Sequence, residues 1–220
     1  MSWTRWTEEL WTLDHPLVVG GLHMGARATA VRGPDGVTLI SAVPMTEAQI
    51  SELAQLGPVT SVVAPNLLHH LFASAAQQKV GGRLIGPAGL VDKGVKLDAT
   101  LGDGVAPWGA ALQAVPVLGV PKMSETVFFH PLSRTLVVTD MSFNVVESGS
   151  WFTRLVMRVN DAYGKFGPSR IFKSMVTDKA ALRESVDRIV ALKPDRVVTA
   201  HGAVLESGGE AALGQAFNWL

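Results

Sequence analysis

The stretch Val62-Val-Ala-Pro-Asn-Leu-Leu-His-His70 decides how this chain is read. Val59-Thr-Ser-Val-Val63 is a short β-branched run, suited to a strand covered on both faces. It stops at Ala64-Pro65-Asn66, and the following Leu67-Leu-His-His-Leu-Phe72 predicts the opening of a helix, with Asn66 as its N-cap. Arg83-Leu-Ile-Gly86 then reads as the next strand of a βαβ unit. Polar, titratable side chains just past a buried strand mark a ligand site, because in α/β sheets ligands gather outside the carboxyl ends of strands.

Two further strand ends share this pattern. Leu136-Val-Val-Thr-Asp140 delivers a carboxylate, and Arg196-Val-Val-Thr-Ala200 ends directly on His201-Gly202. Around them the chain alternates short β-rich runs with helical stretches. Leu17–Gly21, Arg27–Arg32 and Val37–Ser41 predict early strands, with Gly33-Pro-Asp-Gly36 as a hairpin turn. A helix follows Thr46, carried by Ile50, Leu53, Ala54 and Leu56. Ala111–Val115, Thr126–His130 and Thr135–Thr139 predict antiparallel strands, and Ser150 to Leu192 is helix-rich with a break near Gly164–Pro168. Sheets with helices outside both faces would bury these runs, which predicts a four-layer αββα sandwich of the α/β class.

The 220 residues carry 19 Lys plus Arg, 19 Asp plus Glu, six His and no Cys. A chain of this length supplies one sizeable core, so a single domain, 1–220, is expected. Zero formal net charge gives no general electrostatic pull on nucleic acid or anionic lipid. Without cysteine there is no disulfide framework, thiol nucleophile or thiolate metal site. The first eleven residues lack an apolar core region, and no apolar run is long enough to span a bilayer. A soluble, cytoplasmic protein is expected, with Trp3, Trp6 and Trp11 pinning a terminal segment to the body.

His69, His70, Asp140 and His201 therefore form a candidate metal-ligand set, since imidazole and carboxylate suit Zn, Fe or Mn. At this point the sequence resembles the metallo-β-lactamase superfamily. The resemblance runs from about Leu17 to Gly202 and rests on the order of elements, on Ala64-Pro-Asn-Leu-Leu-His-His70, on Ser124-Glu-Thr-Val-Phe-Phe-His-Pro-Leu-Ser-Arg-Thr-Leu-Val-Val-Thr-Asp140 and on Ala200-His-Gly202. It implies the αββα fold and a metal-dependent hydrolase. The superfamily motif is His-x-His-x-Asp-His; laid with its last pair on His69-His70, it puts Pro65 and Leu67 where its first two histidines belong. A slip of one residue would bring Asn66 to the first of those positions. A further histidine, expected within Val117-Leu-Gly-Val-Pro-Lys122, is also absent. By resemblance, Asp140 fills the bridging-carboxylate slot and His201 the last-histidine slot. One divalent transition metal (Zn, Fe or Mn) is implied rather than two, held by His69, His70, Asp140 and His201. Asp140 is a ligand or a catalytic base.

Neighbouring residues read more plainly. Glu125 is a reserve ligand; His130 is structural; His23 lies in an early loop; His15 is a turn residue before Pro16. No Gly-x-Ser-x-Gly elbow supports a serine hydrolase. Trp151, Leu155, Val159 and Tyr163, spaced by four, predict an apolar stripe that packs on the core, the alternatives being a flap over a pocket or a homodimer contact. Two functions stand: a single-metal hydrolase of a small molecule, and a non-catalytic relative that binds a ligand or protein partner in the old cleft.

Overall fold

Gly33 pairs with Gly36 across the turn Pro34-Asp35, closing the hairpin expected there. Gly36 needs its positive φ of 135°, and a Cβ at that position would collide with the Pro58 carbonyl. This turn sets the first sheet in register. The computed structural model describes residues 2–102, 104 and 106–220; Met1, Asp103 and Val105, included in the expected domain 1–220, lie outside the described residues. Within it the chain divides into two compact units, Met1–His15 with Arg27–Leu112, and Pro16–Ala26 with Gln113–Leu220.

In chain order the elements begin with β1 (Thr4–Arg5), β2 (Leu10–His15), β3 (Val18–Val19), β4 (Leu22–His23), β5 (Ala26–Gly33) and β6 (Gly36–Ile40). Next come α1 (Glu47–Ala54), β7 (Val59–Val63), α2 (Ala73–Val80), β8 (Arg83–Gly86) and β9 (Ala99–Thr100). The remainder is β10 (Gln113–Pro116), β11 (Thr126–His130), β12 (Thr135–Val138), α3 (Trp151–Val159), α4 (Arg170–Met175), α5 (Lys179–Ala191), β13 (Arg196–Thr199) and α6 (Gly209–Ala216).

The first unit is built on a sheet ordered β1-β2-β5-β6-β7-β8-β9. β6, β7, β8 and β9 run parallel, and Val62, Val63, Leu84 and Ile85 are fully buried. Helix α2 packs on β7 and β8. The capping box Thr46–Gln49 starts α1, each side chain bonding the other's backbone amide. β2 was not foreseen. Its sequence, Leu-Trp-Thr-Leu-Asp-His, buries Leu10, Trp11, Thr12 and Leu13 in succession, so the N-terminal segment is a sheet strand. His15 accordingly ends a strand rather than making a turn, edge-on to Phe72 at 6.3 Å.

The second unit is built on a sheet ordered β10-β11-β12-β13, with only the last pair parallel. Helix α5 turns Leu182, Val186 and Ile189 into a core shared with Leu136, Val138, Val197, Phe172 and Phe217. The expected strand Leu17–Gly21 is instead the hairpin β3–β4, because Gly20 and Gly21 adopt positive φ values of 55° and 81° and reverse the chain. Among the described residues no helix is long and apolar enough to cross a membrane.

Asp98 ties the return of the chain to the start of β8. Its Oδ2 accepts from the Leu84 amide at 2.8 Å and from Gln77 Nε2 at 2.6 Å. The Leu84 hydrogen bond, then Gln77, Arg83 and Lys96, hold its carboxyl below the ordinary value against a smaller desolvation cost. A depressed carboxyl stabilises the fold above its unfolded pKa, and that contribution is lost as pH falls through the folded value. In urea titrations from pH 7 to 2, Asp98→Asn is expected to lose part of the acid-side fall in stability; an unchanged slope would remove Asp98 from that role.

Candidate metal centre

The site in the second unit starts from sheet register. β12 and β13 are parallel with Thr135 opposite Arg196 and Val138 opposite Thr199, so the next two residues of each strand carry Asp140 and His201 to the same end. Ala200 N donates to Val138 O at 3.1 Å and extends the pairing past the strands. His201 Nε2 lies 3.8 Å from Asp140 Oδ1, and the two residues are only 5% and 7% exposed.

The orientation of His201 is fixed from its other nitrogen. Nδ1 lies 2.7 Å from the Gly25 carbonyl. A carbonyl only accepts, so Nδ1 carries a proton, and Nε2 is the ring nitrogen turned toward Asp140. The Phe143 ring stacks on the imidazole, 5.4 Å between centroids and 11° from parallel. Gly202, at φ 89°, bridges to Asn144, and Ala203 N donates to Asn144 O at 2.8 Å. A Cβ on Gly202 would run into the Asn144 carbonyl.

Asp140 is placed by Glu125. One oxygen of Glu125 accepts from Thr139 N at 2.7 Å and Thr139 Oγ1 at 2.9 Å. The other accepts from Asp140 N at 3.1 Å and Met141 N at 2.8 Å. A 2% exposed carboxylate with four donors is engaged in holding backbone, which corrects the expectation of Glu125 as a reserve ligand. No periodicity announced this role. The signal was a lone acid directly before the buried run Thr126–His130.

In the first unit, the turn after β7 carries His69 and His70. The expected helix at Leu67 does not form there; α2 begins at Ala73. Asn66, fully buried, does cap, but it caps a turn: its Oδ1 accepts from Leu68 N at 2.8 Å and His69 N at 2.7 Å. These bonds bind the first amides in a non-helical turn. Ser41 Oγ lies 2.8 Å from His69 Nδ1. Ser41 itself stands at φ 55°, an uncommon backbone for a non-glycine residue, and its amide is held by the Val63 carbonyl at 2.9 Å. Its part in orienting His69 had no sequence signature. His70 has a buried Nδ1 without a hydrogen-bond partner among the described residues, and burial, then Lys93, draws its pKa below the usual value.

The remaining histidines make other contacts. His130 is buried, with Nδ1 2.7 Å from Ser133 Oγ in the β11–β12 turn, as a structural residue should be. His23 is exposed on β4, its amide donating to Thr153 Oγ1 at 2.9 Å.

Comparison with solved structures gives high-probability matches over nearly the whole chain. A metallo-β-lactamase from Pontibacter korlensis superposes with a TM-score of 0.68 at 15% identity, covering 98% of this chain and 96% of that one. The DIM-1 metallo-β-lactamase exposed to ceftazidime gives 0.67 at 11% identity, covering 99% and 96%. FIM-1 from Pseudomonas aeruginosa, in its mono-zinc form, gives 0.64 at 14% identity, covering 99% and 94%. The chain has the metallo-β-lactamase fold. No protein-family model and no curated protein matches the sequence. The metallo-β-lactamase fold thus rests on structure, at identities where sequence similarity is nearly lost.

Two substitutions test this scaffold. Glu125→Gln turns an N–H₂ toward donors that need an acceptor, and is expected to cost about 2–4 kcal/mol in urea unfolding. Gly202→Ala forces both a positive φ and a clash, and is expected to cost more than about 1 kcal/mol. Full stability in either variant would refute the corresponding restraint.

Proposed function

We propose that this protein is a hydrolase of a small molecule that uses one divalent transition metal, Zn, Fe or Mn, held by Asp140 and His201 and, by the resemblance, by His69 and His70. The observation that carries the reading is the Asp140–His201 pair. His201 Nε2 and Asp140 Oδ1 lie 3.8 Å apart in a nearly buried place. Ligands bound at about 2.0–2.2 Å to one tetrahedral ion are spaced by roughly 3.5 Å, so the donor set suits a cation. His201 donates its other ring nitrogen to a carbonyl and Asp140 is held by a second carboxylate's bonds to backbone, the supporting arrangement metal ligands use. His69 has the equivalent support from Ser41.

Burial, then Lys93, lowers the pKa of His70, which favours the neutral imidazole that a metal requires. The site is also read as reduced. Pro65 and Leu67 offer no side-chain ligand where the resembled motif has histidines, and the segment Val117–Lys122 has none either. FIM-1, a similar structure, is a metallo-β-lactamase in a mono-zinc form, which supports a one-metal reading. The reading requires the two units to work as one domain, and includes cytoplasmic action on an ester, thioester, lactone, amide or phosphoester.

An ion in this place supplies Lewis acidity, which makes water a nucleophile near neutral pH. The protein's own part is positional. Gly25 fixes the tautomer of His201, and Glu125 fixes the backbone of Asp140. Asp140 would serve as a ligand or as the base that takes a proton.

Elemental analysis of untagged protein is expected to find about one equivalent of transition metal. Added Zn or Mn should raise the melting temperature, since ligand at a hundredfold over Kd stabilises by about 2.7 kcal/mol, and His201→Ala and Asp140→Asn should abolish that rise. Absence of both metal and thermal shift would sink the proposal. Metal without turnover on an ester, thioester, lactone and phosphodiester panel would favour the non-catalytic alternative.

A further inference from the structure

Helix α3 is turned the wrong way round for a surface helix. Successive residues lie about 100° apart. Trp151, Phe152, Leu155 and Val159 therefore share one arc, and they are 68%, 39%, 51% and 59% exposed. The opposite side buries Thr153 and Met157. The expected packing of the stripe Trp151, Leu155, Val159 and Tyr163 on the core is thus overturned for the first three, whereas Tyr163, beyond the helix end, packs against Phe143, Val145 and Met157. Beside it stands the β3–β4 hairpin, docked through the His23–Thr153 bond, with Val18 and Val19 55% and 52% exposed. Isolated exposed apolar residues are ordinary, but a contiguous group of this size marks an interaction surface.

Charge says what covers it. From Glu147 to Met175 the chain carries five cations (Arg154, Arg158, Lys165, Arg170 and Lys173) against Glu147 and Asp161. The zero net charge of the whole chain hides this local excess. Asp161 is shared by Lys165, at 2.6 Å, and Lys173, at 3.9 Å. Arg158 is exposed at the edge of the apolar arc, with its guanidinium over the Tyr163 ring. Helix α3 itself carries Arg154 and Arg158 and no acidic residue. We propose that this face seats the protein peripherally on an anionic membrane surface, with Trp151, Leu155, Val159 and the Val18–Val19 tip in the headgroup boundary and the α3 arginines against lipid phosphates. A helix with an apolar face, an interfacial Trp and basic flanks has the chemistry such a surface binds. A two-fold dimer through the same face would set Arg158 and its neighbours against their own copies, which like charge opposes.

Co-sedimentation with vesicles decides it. Protein should bind equimolar phosphatidylglycerol–phosphatidylcholine vesicles, and binding should fall about tenfold or more on phosphatidylcholine alone or in 0.5 M salt. The double variant Leu155→Glu, Val159→Glu, whose exposed positions leave circular dichroism unchanged, should also lose about tenfold. No binding by the parent protein, equal binding to neutral vesicles, or full binding by the double variant would each overturn it. So would a sedimentation mass of two chains that Leu155→Glu reduces to one, since the face would then belong to a second copy. Binding that persists in His201→Ala separates this surface from the metal proposal.

Discussion

The Glu125 carboxylate is the constraint on which the second unit's site depends. Four donors from Thr139, Asp140 and Met141 converge on its two oxygens and hold the chain as it leaves β12. A buried carboxylate without such partners would be expelled or protonated, and with them it behaves as a backbone clamp. Asp140 needs that clamp because it sits past the last ladder bond, where a strand end would otherwise fray. Parallel pairing of β12 with β13 then brings His201 to it without any designed loop. One buried acid therefore converts the carboxyl end of a sheet into a place where a second acid and an imidazole meet.

What the sequence made legible followed from short-range rules. β-Branched runs bounded by Gly and Pro marked β5, β6, β7, β8, β11, β12 and β13, and the Gly33–Gly36 turn marked the hairpin. Asp140 and His201 were legible because each directly follows such a run. Three features were not. The strand Leu10–His15 mixes Trp, Thr and Asp into its buried series, which weakens period-two alternation. The Asn66 turn looked like a helix start because Leu-Leu-His-His-Leu-Phe has helical propensity, whereas the Asn66 side chain captures the Leu68 and His69 amides in a tight turn. α6 opens on Gly208-Gly209, and small residues were needed there since a Cβ on Gly209 would meet Val197 at 2.8 Å.

The partners that orient the candidate ligands were the least legible of all. Gly25 acts through its carbonyl, Ser41 through a hydroxyl at a strained backbone position, and Phe143 through the face of its ring. None of these uses a residue type that spacing or composition can single out. They become visible only when distant segments are folded, because a backbone carbonyl carries no identity in a sequence.

Hydrogen bonding, rather than hydrophobicity, explains why α3 faces outward. Thr153 is fully buried because its hydroxyl accepts the His23 amide, while its own amide donates to the N-cap Ser150. The His23 bond holds the Thr153 side of the helix inward, and the Ser150 cap starts the helix at that point. Met157 then packs with Phe143 and Val145, and Phe143 in turn stacks on His201. Rotating α3 to bury Trp151 and Leu155 would break the His23 bond, expose Thr153 and withdraw Met157 from Phe143. The apolar face is thus displayed to solvent as the cost of a scaffold that holds the His201 ring in place, and the exposed surface and the candidate site share the same structural cause.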